Sequence, residues 1–520
     1  MRKRTPGKFR LLAAVVLIVL TASILAGAGC VKNGEEKLPR TNIAPPALTA
    51  QPEIDDAGAE VIYSVNRTLS SDMVVQRNAY FNVFGTSESV GGVIYGEFMG
   101  EKRYATVGDD GRWLMQFSSH EATAEPQTLK IYPKNGKTTE FSDILVGDVW
   151  VVSGQSNAEL TLGQCLAATP GYEKEIKKED NIRIFVQTRQ AVMDAIGEID
   201  LTETQDEPIN EKWKWEKTTP SATIWFSALG YYFAKELSRS VDVPLGLVMA
   251  AAGGSTLHEL MPGPLAAELG FSTAPSVPAG GFYNSLIYPF TKNRITGMLF
   301  YQGESECGGG QYLNYASNLV RTVSEYRKVW GIDFPLIEIQ LSSHLGEGTF
   351  TWPELPQIRA AQFSACRMMD NAYIVTAMDQ GFRTGDPDWA HPIYKLEIGR
   401  RAARIAAWLT YGQGSEDHAL APEPDKVVWN KDGSITVTFK HVGDGLKTVD
   451  GGNIRGLSAR DEYGDSMSCD FETVDGSTIR IIPSRSAVSV CYGMNPDGSA
   501  DKANLCSGDG IPMPAFVVEK

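Results

Sequence analysis

VWVVSGQSNAEL, Val149–Leu160, runs an apolar stretch straight into the polar group Ser153, Gly154, Gln155, Ser156 and Asn157. An apolar run of strand length ending in a small polar turn reads as a buried strand that delivers its turn to a sheet edge. The pattern recurs downstream: LVMAA is followed by AGGS, and MLFY by QGESE. FPLIEIQL and NAYIVTAM are further strand-like runs, and IWFSALGYYFAKELSRS has helical periodicity between the first two strands. Strands alternating with helices predict βαβ units in a mostly parallel sheet with right-handed crossovers. Ligands of such sheets bind outside the carboxyl ends of the strands. Three strand ends are therefore expected to converge on one crevice.

The chain has 520 residues, more than one ordinary domain needs, with 51 Gly and 27 Pro, as suits a loop-rich globular protein. Residues 1–29 combine a basic flank, an apolar run from Leu11 to about Leu25 and small residues before Cys30, which reads as an export signal. Cys30 resembles the lipid-attachment cysteine of bacterial lipoproteins, although Gly27 stands where Leu is usual. A simple cleaved signal and an uncleaved anchor are the alternatives, and all three place the rest of the chain outside the cytoplasm. Residues 30–58, polar and Pro/Ala-rich, read as a linker. Alternating stretches such as YFNVFGT, GRWLMQFSS and QTLKIYP predict a β domain over 59–145, and residues 421–520 return to the same period-two pattern. The expected fold is α/β over 146–420, a parallel sheet flanked by helices, with β-rich domains before and after it.

The formal charge is -15, and about -20 once residues 1–29 are set aside. With no basic stripe, a nucleic-acid partner is excluded. An acidic sugar is compatible, because one or two arginines suffice to hold a carboxylate. Besides Cys30 there are Cys165, Cys307, Cys366, Cys469, Cys491 and Cys506. In an oxidising compartment they allow up to three disulfides in fifteen connectivities, of which Cys491–Cys506 is the favoured pair. No CxxC or HExxH spacing supports a zinc site, and no cofactor or protein partner is implied.

Ser156, between a strand and a helix start, is placed to offer a hydroxyl and a backbone N–H at the positive end of a helix dipole. A helix cap by Ser153 or Ser156 is equally compatible with this stretch alone, and the GxSxG elbow is absent because Ala158 holds its last position. Of six histidines, His391 stands in the most suggestive setting, GDPDWAHPIYKLEIGRR, with Asp388 three residues before it and Pro392 suited to a first helical turn. At that spacing a carboxylate reaches one ring nitrogen and leaves the other for a serine; a pair of helix caps is the alternative. Gly253, Gly254 and the Gln302 amide are candidate oxyanion donors, and Glu304 is either a site residue or a structural partner of Arg359.

GQSN, GGS, FYQGES, IRAAQ and a late DxxHP with a downstream Lys and Gly-Arg, in that order, resemble the sialate O-acetylesterases, a branch of the SGNH-type serine esterases. The resemblance runs from about Leu69 to the C-terminus, and it implies an SGNH-hydrolase-like fold. It further implies that Ser156 is the nucleophile, His391 the general base and Asp388 its orienting partner, with Asp386 the rival because many relatives carry Asp two residues before the His, where Trp389 stands. Gly253, Gly254, Gln302, Glu304, Gln155 and Asn157 become oxyanion and substrate-binding residues. Ala158, Ser255 and Leu260 depart from the usual Met, Thr and Trp and bear on substrate choice. The activity implied is hydrolysis of O-acetyl groups on sugars, sialic acids first, with xylan or another polysaccharide as the alternative substrate. A noncatalytic carbohydrate-binding surface lipoprotein is the alternative of another class.

Overall fold

The apolar run that ends in Ser153 and Gly154 is the last third of one long strand, β1 (Thr139–Gly154), whose residues from Ile144 onward are all buried. In the computed structural model, which describes residues 44–520 apart from 55, 57, 175, 188–200, 272–276, 344–353, 382–390 and 495–502, β1 occupies the middle of an extended sheet. Six more strands complete the core path: β2 (Glu179–Gln187), β3 (Trp215–Thr218), β4 (Leu245–Ala251), β5 (Gly297–Tyr301), β6 (Leu336–Gln340) and β7 (Ala372–Thr376). Their spatial order is β3-β2-β4-β1-β5-β6-β7. All neighbours pair in parallel except β3, which runs antiparallel to β2. The five apolar runs read from the sequence are β1, β4, β5, β6 and β7. Strand β2 was not among them: its sequence EDNIRIFVQ carries Arg183, which is buried and bonds Asp143 and the Asp180 carbonyl, so the charge interrupts the apolar signal.

The predicted helix is present as α2 (Ala228–Leu237), capped by Ser227, whose Oγ accepts from Gly230 N–H. Three longer helices follow: α3 (Tyr312–Trp330), α4 (Leu355–Met368) and α5 (Leu396–Tyr411). No helix among the described residues is long and apolar enough to cross a membrane.

The first half of β1 belongs equally to the preceding β region. It pairs antiparallel with Thr123–Pro133 and, around Leu145–Gly147, parallel with Val74–Gln76. The junction expected at 145/146 falls inside this one strand, and a single buried apolar cluster extends from Val61 to Ala407. Asp148 sits at the changeover with no exposure. Its carboxylate accepts from Gln76 Nε2 at 3.0 Å, Arg77 Nε at 3.0 Å, Thr296 Oγ1 at 2.9 Å and the Tyr411 hydroxyl. One side chain thus fastens the N-terminal β region, the approach to β5 and the end of α5.

From Glu423 onward the chain forms antiparallel sheets, as the period-two pattern predicts. Their apolar residues pack on Phe363 and Cys366 of α4 and Ile374 of β7. The expected disulfides are absent: all six cysteines among the described residues are free. Cys491 lies in Ser489–Tyr492, opposite Ser458, whereas Cys506 lies opposite Lys447 in a separate two-stranded pair. Proximity in sequence does not bring the two together, because the residues belong to different sheets.

Breaking a buried ion pair by removing one partner typically costs about 3 to 5 kcal/mol, because the other charge stays buried and unpaired. Asp148→Ala is therefore expected to lower the unfolding free energy by about 3 kcal/mol in urea titration. A loss below about 1 kcal/mol, the range of a surface pair, would remove Asp148 from this role.

Candidate active site

Gly154 ends β1 at a φ of 131°, and a Cβ there would lie 2.0 Å from the carbonyl oxygen of Tyr301, the last residue of β5. Only glycine fits. The next N–H, of Gln155, donates to that same carbonyl at 3.0 Å. Ser156 then opens α1 (Ser156–Glu159), a single turn closed by Leu160 N–H on the Ser156 carbonyl at 2.7 Å. The sequence suggested a helix dipole at Ser156, but four residues build little of one. What the turn supplies instead is individual donors. The N–H groups of Ser156 and Gly254 make no hydrogen bond within the described residues.

The AGGS turn after β4 is tied to the same strand end, with Ala252 N–H on the Gly154 carbonyl at 3.0 Å. Gly253 lies against Ser156: a Cβ built on it would be 3.6 Å from Ser156 Cβ. Its own N–H, however, is taken by Glu159 Oε2 at 2.7 Å. Of the glycine pair this leaves Gly254, at φ 74° and with open space around it, as the available donor.

The third turn, QGESE, is braced from beneath. Gln155 Oε1 accepts from Gly303 N–H at 3.1 Å, Ser305 N–H at 3.3 Å and Gln302 Nε2 at 3.2 Å. Gln302 is fully buried, and its amide nitrogen also reaches the Ser255 carbonyl and Glu306 Oε2. The Gln302 amide nitrogen, expected as an oxyanion donor, and the Gln155 amide oxygen, expected to line the site, thus both bond within the turns. Glu306 is a further brace, accepting from Leu257 N–H, and burial lifts its carboxyl to about 7. On the opposite side of the turn, Tyr315 OH donates to the Gln302 carbonyl at 2.9 Å and Gln362 Nε2 to the same oxygen at 3.1 Å.

Asn157 and Glu304 lie under Ser156. Asn157 Nδ2 donates to Glu304 Oε1 at 2.6 Å, and Asn157 Oδ1 accepts from Lys395 Nζ at 2.7 Å. All three are nearly or wholly buried. The alternative pairing of Glu304 with Arg359 is replaced by this one, while the Arg359 guanidinium turns to the carbonyls of Ser342 and Gly493. Burial raises Glu304 above the usual carboxyl range and brings Lys395 down to about 8. His391 is near enough for its charge to bear on the Glu304 carboxyl. Asp388 and Asp386 lie outside the described residues, as does Cys30.

The site therefore unites Ser156, Gly253, Gly254 and the QGESE turn at three adjacent strand ends. Lys395, Glu306 and Glu159 were not singled out as site residues. Lys395 had a visible signal, as the lysine four residues after His391; Glu306 and Glu159 stood inside the quoted turns, but which backbone N–H they reach is a property of the fold.

Residues 146–404 match the family described as carbohydrate esterase, sialic acid-specific acetylesterase. The chain belongs to a carbohydrate esterase family. Human sialate O-acetylesterase is 25% identical, the match covering 58% of this chain and 60% of that protein, and the mouse sialate O-acetylesterase is 24% identical over 51% and 58%. The chain thus spans about three fifths of the length of the curated relatives it matches. Its fold is similar to that of a carbohydrate acetylesterase from Xanthomonas citri, with a TM-score of 0.75 at 24% identity, covering 88% of this chain and 100% of the other.

Between the ordinary glutamate value of 4.5 and about 7, the folded chain holds a proton on Glu306 that the unfolded chain has released. The stability from this group is full below the lower value and lost as pH rises to the upper one. Relative to Glu306→Gln, the wild type is expected to lose stability across that interval and change little above it. Urea titrations of both proteins at a series of pH values test this, and a difference independent of pH would refute it.

Proposed function

We propose that the chain is an exported serine esterase that hydrolyses O-acetyl groups on sugars, most directly on sialic acids, with an SGNH-type arrangement of its catalytic groups. The observation that carries the reading is the convergence at Ser156. Its Cβ stands beside Gly253, with the N–H groups of Ser156 and Gly254 left without partners among the described residues, and the charge of His391 reaches the Glu304 carboxyl of the neighbouring turn. Ser156 attacks the acetyl carbonyl while His391 takes its proton, and the two N–H donors receive the oxyanion. His391 then protonates the departing sugar oxygen. Water, deprotonated by His391, attacks the acetyl-enzyme and releases acetate, returning the proton to Ser156. Asp388, or Asp386, orients the imidazole in this scheme. The sialic acid preference is supported by the family description and the mammalian relatives.

A polysaccharide acetylester is the second reading. Trp225, 66% exposed, favours it: the neighbouring carbonyls of Ile224 and Phe226 accept from Gly163 and Leu162, in the segment that follows α1. A flat indole at that edge suits the apolar face of a pyranose ring. The basic and apolar N-terminal stretch with Cys30 supports export and a lipid anchor in the cell envelope, or secretion if Cys30 is unmodified.

Acetate release from O-acetylated sialic acids and from acetylated xylooligosaccharides decides among these. The wild type is expected to act on one set, and Ser156→Ala to lower the rate by about 10³-fold or more. Equal release by the two proteins would defeat the nucleophile assignment. Binding without turnover would favour a noncatalytic carbohydrate-binding role.

A further inference from the structure

The C-terminal sheets part around a cleft of about 750 Å³. One wall is the strand Cys469–Thr473, and the other is the antiparallel pair of Lys447–Thr448 with Leu505–Cys506. The cleft lies outside residues 146–404, the segment that matches the esterase family. Cys469–Thr473 is the last strand of its sheet and pairs on one side only, with Thr478–Pro483. Val474 N–H on the Thr478 carbonyl at 2.9 Å and Ser484 N–H on the Ser468 carbonyl at 3.0 Å fix the alternation of that pairing. The backbone N–H and C=O groups of Cys469, Phe471 and Thr473 therefore point away from the partner strand, along the cleft. Three exposed polar side chains of the lining, those of Asp470, Asn453 and Thr473, make no hydrogen bond or ion pair among the described residues. The Phe471 ring beside them is half-buried, packed in part against the C-terminal apolar cluster.

We propose that this cleft is a second sugar site, which binds a neutral oligosaccharide chain and anchors the protein to it, apart from the chemistry at Ser156. Its volume falls within the range of roughly 300 to 1,000 Å³ common to pockets for small ligands. A carboxylate, an amide and a hydroxyl with free hydrogen-bonding capacity match the closely spaced hydroxyls of a sugar, and the outward backbone groups add donors and acceptors in a row. The Phe471 ring offers an apolar surface to one face of a pyranose. A peptide strand is the other ligand that a free sheet edge can take, but Asp470 and Glu472 stand exposed on this one, and charges of that kind resist strand addition. An anionic glycan is also disfavoured. Asp470 and Asp475 outnumber Lys447 in the lining, and the Lys447 ammonium is held by the Gly508 carbonyl at 2.7 Å.

The test is calorimetric titration of the full chain with xylohexaose, cellohexaose and mannohexaose, and with sialyllactose as the anionic comparison. At least one of the neutral sugars is expected to bind with a Kd of about 1 mM or tighter, and Phe471→Ala and Asp470→Ala each to weaken it by about tenfold. Cys469 supplies a readout that needs no substitution. It is the half-buried thiol of the cleft, the other cysteines among the described residues being buried, and burial raises it enough for alkylation to be slow and easily followed. With the sugar at about three times its Kd, alkylation of Cys469, mapped by peptide mass spectrometry, should slow about fourfold. No binding by any neutral sugar overturns the proposal, as does binding that survives both substitutions or leaves Cys469 unprotected. Tighter binding of sialyllactose than of every neutral sugar overturns the ligand class. Acetate is not measured in any of these arms, so the result stands whether or not Ser156→Ala abolishes esterase activity.

Discussion

The carbonyl of Tyr301 occupies the space where any side chain at residue 154 would begin. That contact brings the ends of two neighbouring parallel strands together and turns the chain sharply, so that Gln155 points beneath the QGESE turn and Ser156 emerges beside the glycine pair. The Gly154 carbonyl in turn receives Ala252 N–H from the third strand end. Three turns from distant parts of the sequence are thus locked by backbone atoms before any side chain contributes. Preorganised donors of this kind need no rearrangement as charge develops on an oxyanion, which is where they have their largest effect.

Buried polar side chains complete the frame, and each is satisfied by the next turn. Gln155 collects three donors, Gln302 spends its amide on Gln155, Ser255 and Glu306, and Glu306 reaches Leu257. Such a network is costly when incomplete and rigid when satisfied. Gln155 Oε1 and the Gln302 amide nitrogen, which a motif presents as groups facing a ligand, are engaged in this network. Among the described residues, the N–H groups of Ser156 and Gly254 stay outside this network.

Five of the core strands and the identity of the three turns were legible because they depend on local signals, apolar runs of strand length that end in small polar turns. Strand β2 was illegible because Arg183 interrupts its run, and only the finished fold supplies Asp143 to pair with it. The glycine pair was recognisable as a donor site, but the choice of Gly254 over Gly253 turns on Glu159, and no spacing rule gives the direction of that side chain. The cysteines misled for a related reason. Cys491 and Cys506 are near in sequence, yet their strands pair with different partners, and strand pairing is a long-range property.

The accessory β regions meet the site by different physical means. The N-terminal one shares β1 itself, the strand that leads to Ser156, and Asp148 fixes the changeover to Arg77, Thr296 and Tyr411. The C-terminal sheets are joined by side chains: Gln340, the last residue of β6, exchanges two hydrogen bonds with the Ala515 backbone, and Arg359 on α4 reaches the Gly493 carbonyl. Both attachments act on the carboxyl-end side of the sheet or on the strand that leads there. The regions on both sides of residues 146–404 are therefore fastened to strands and helices of the central sheet.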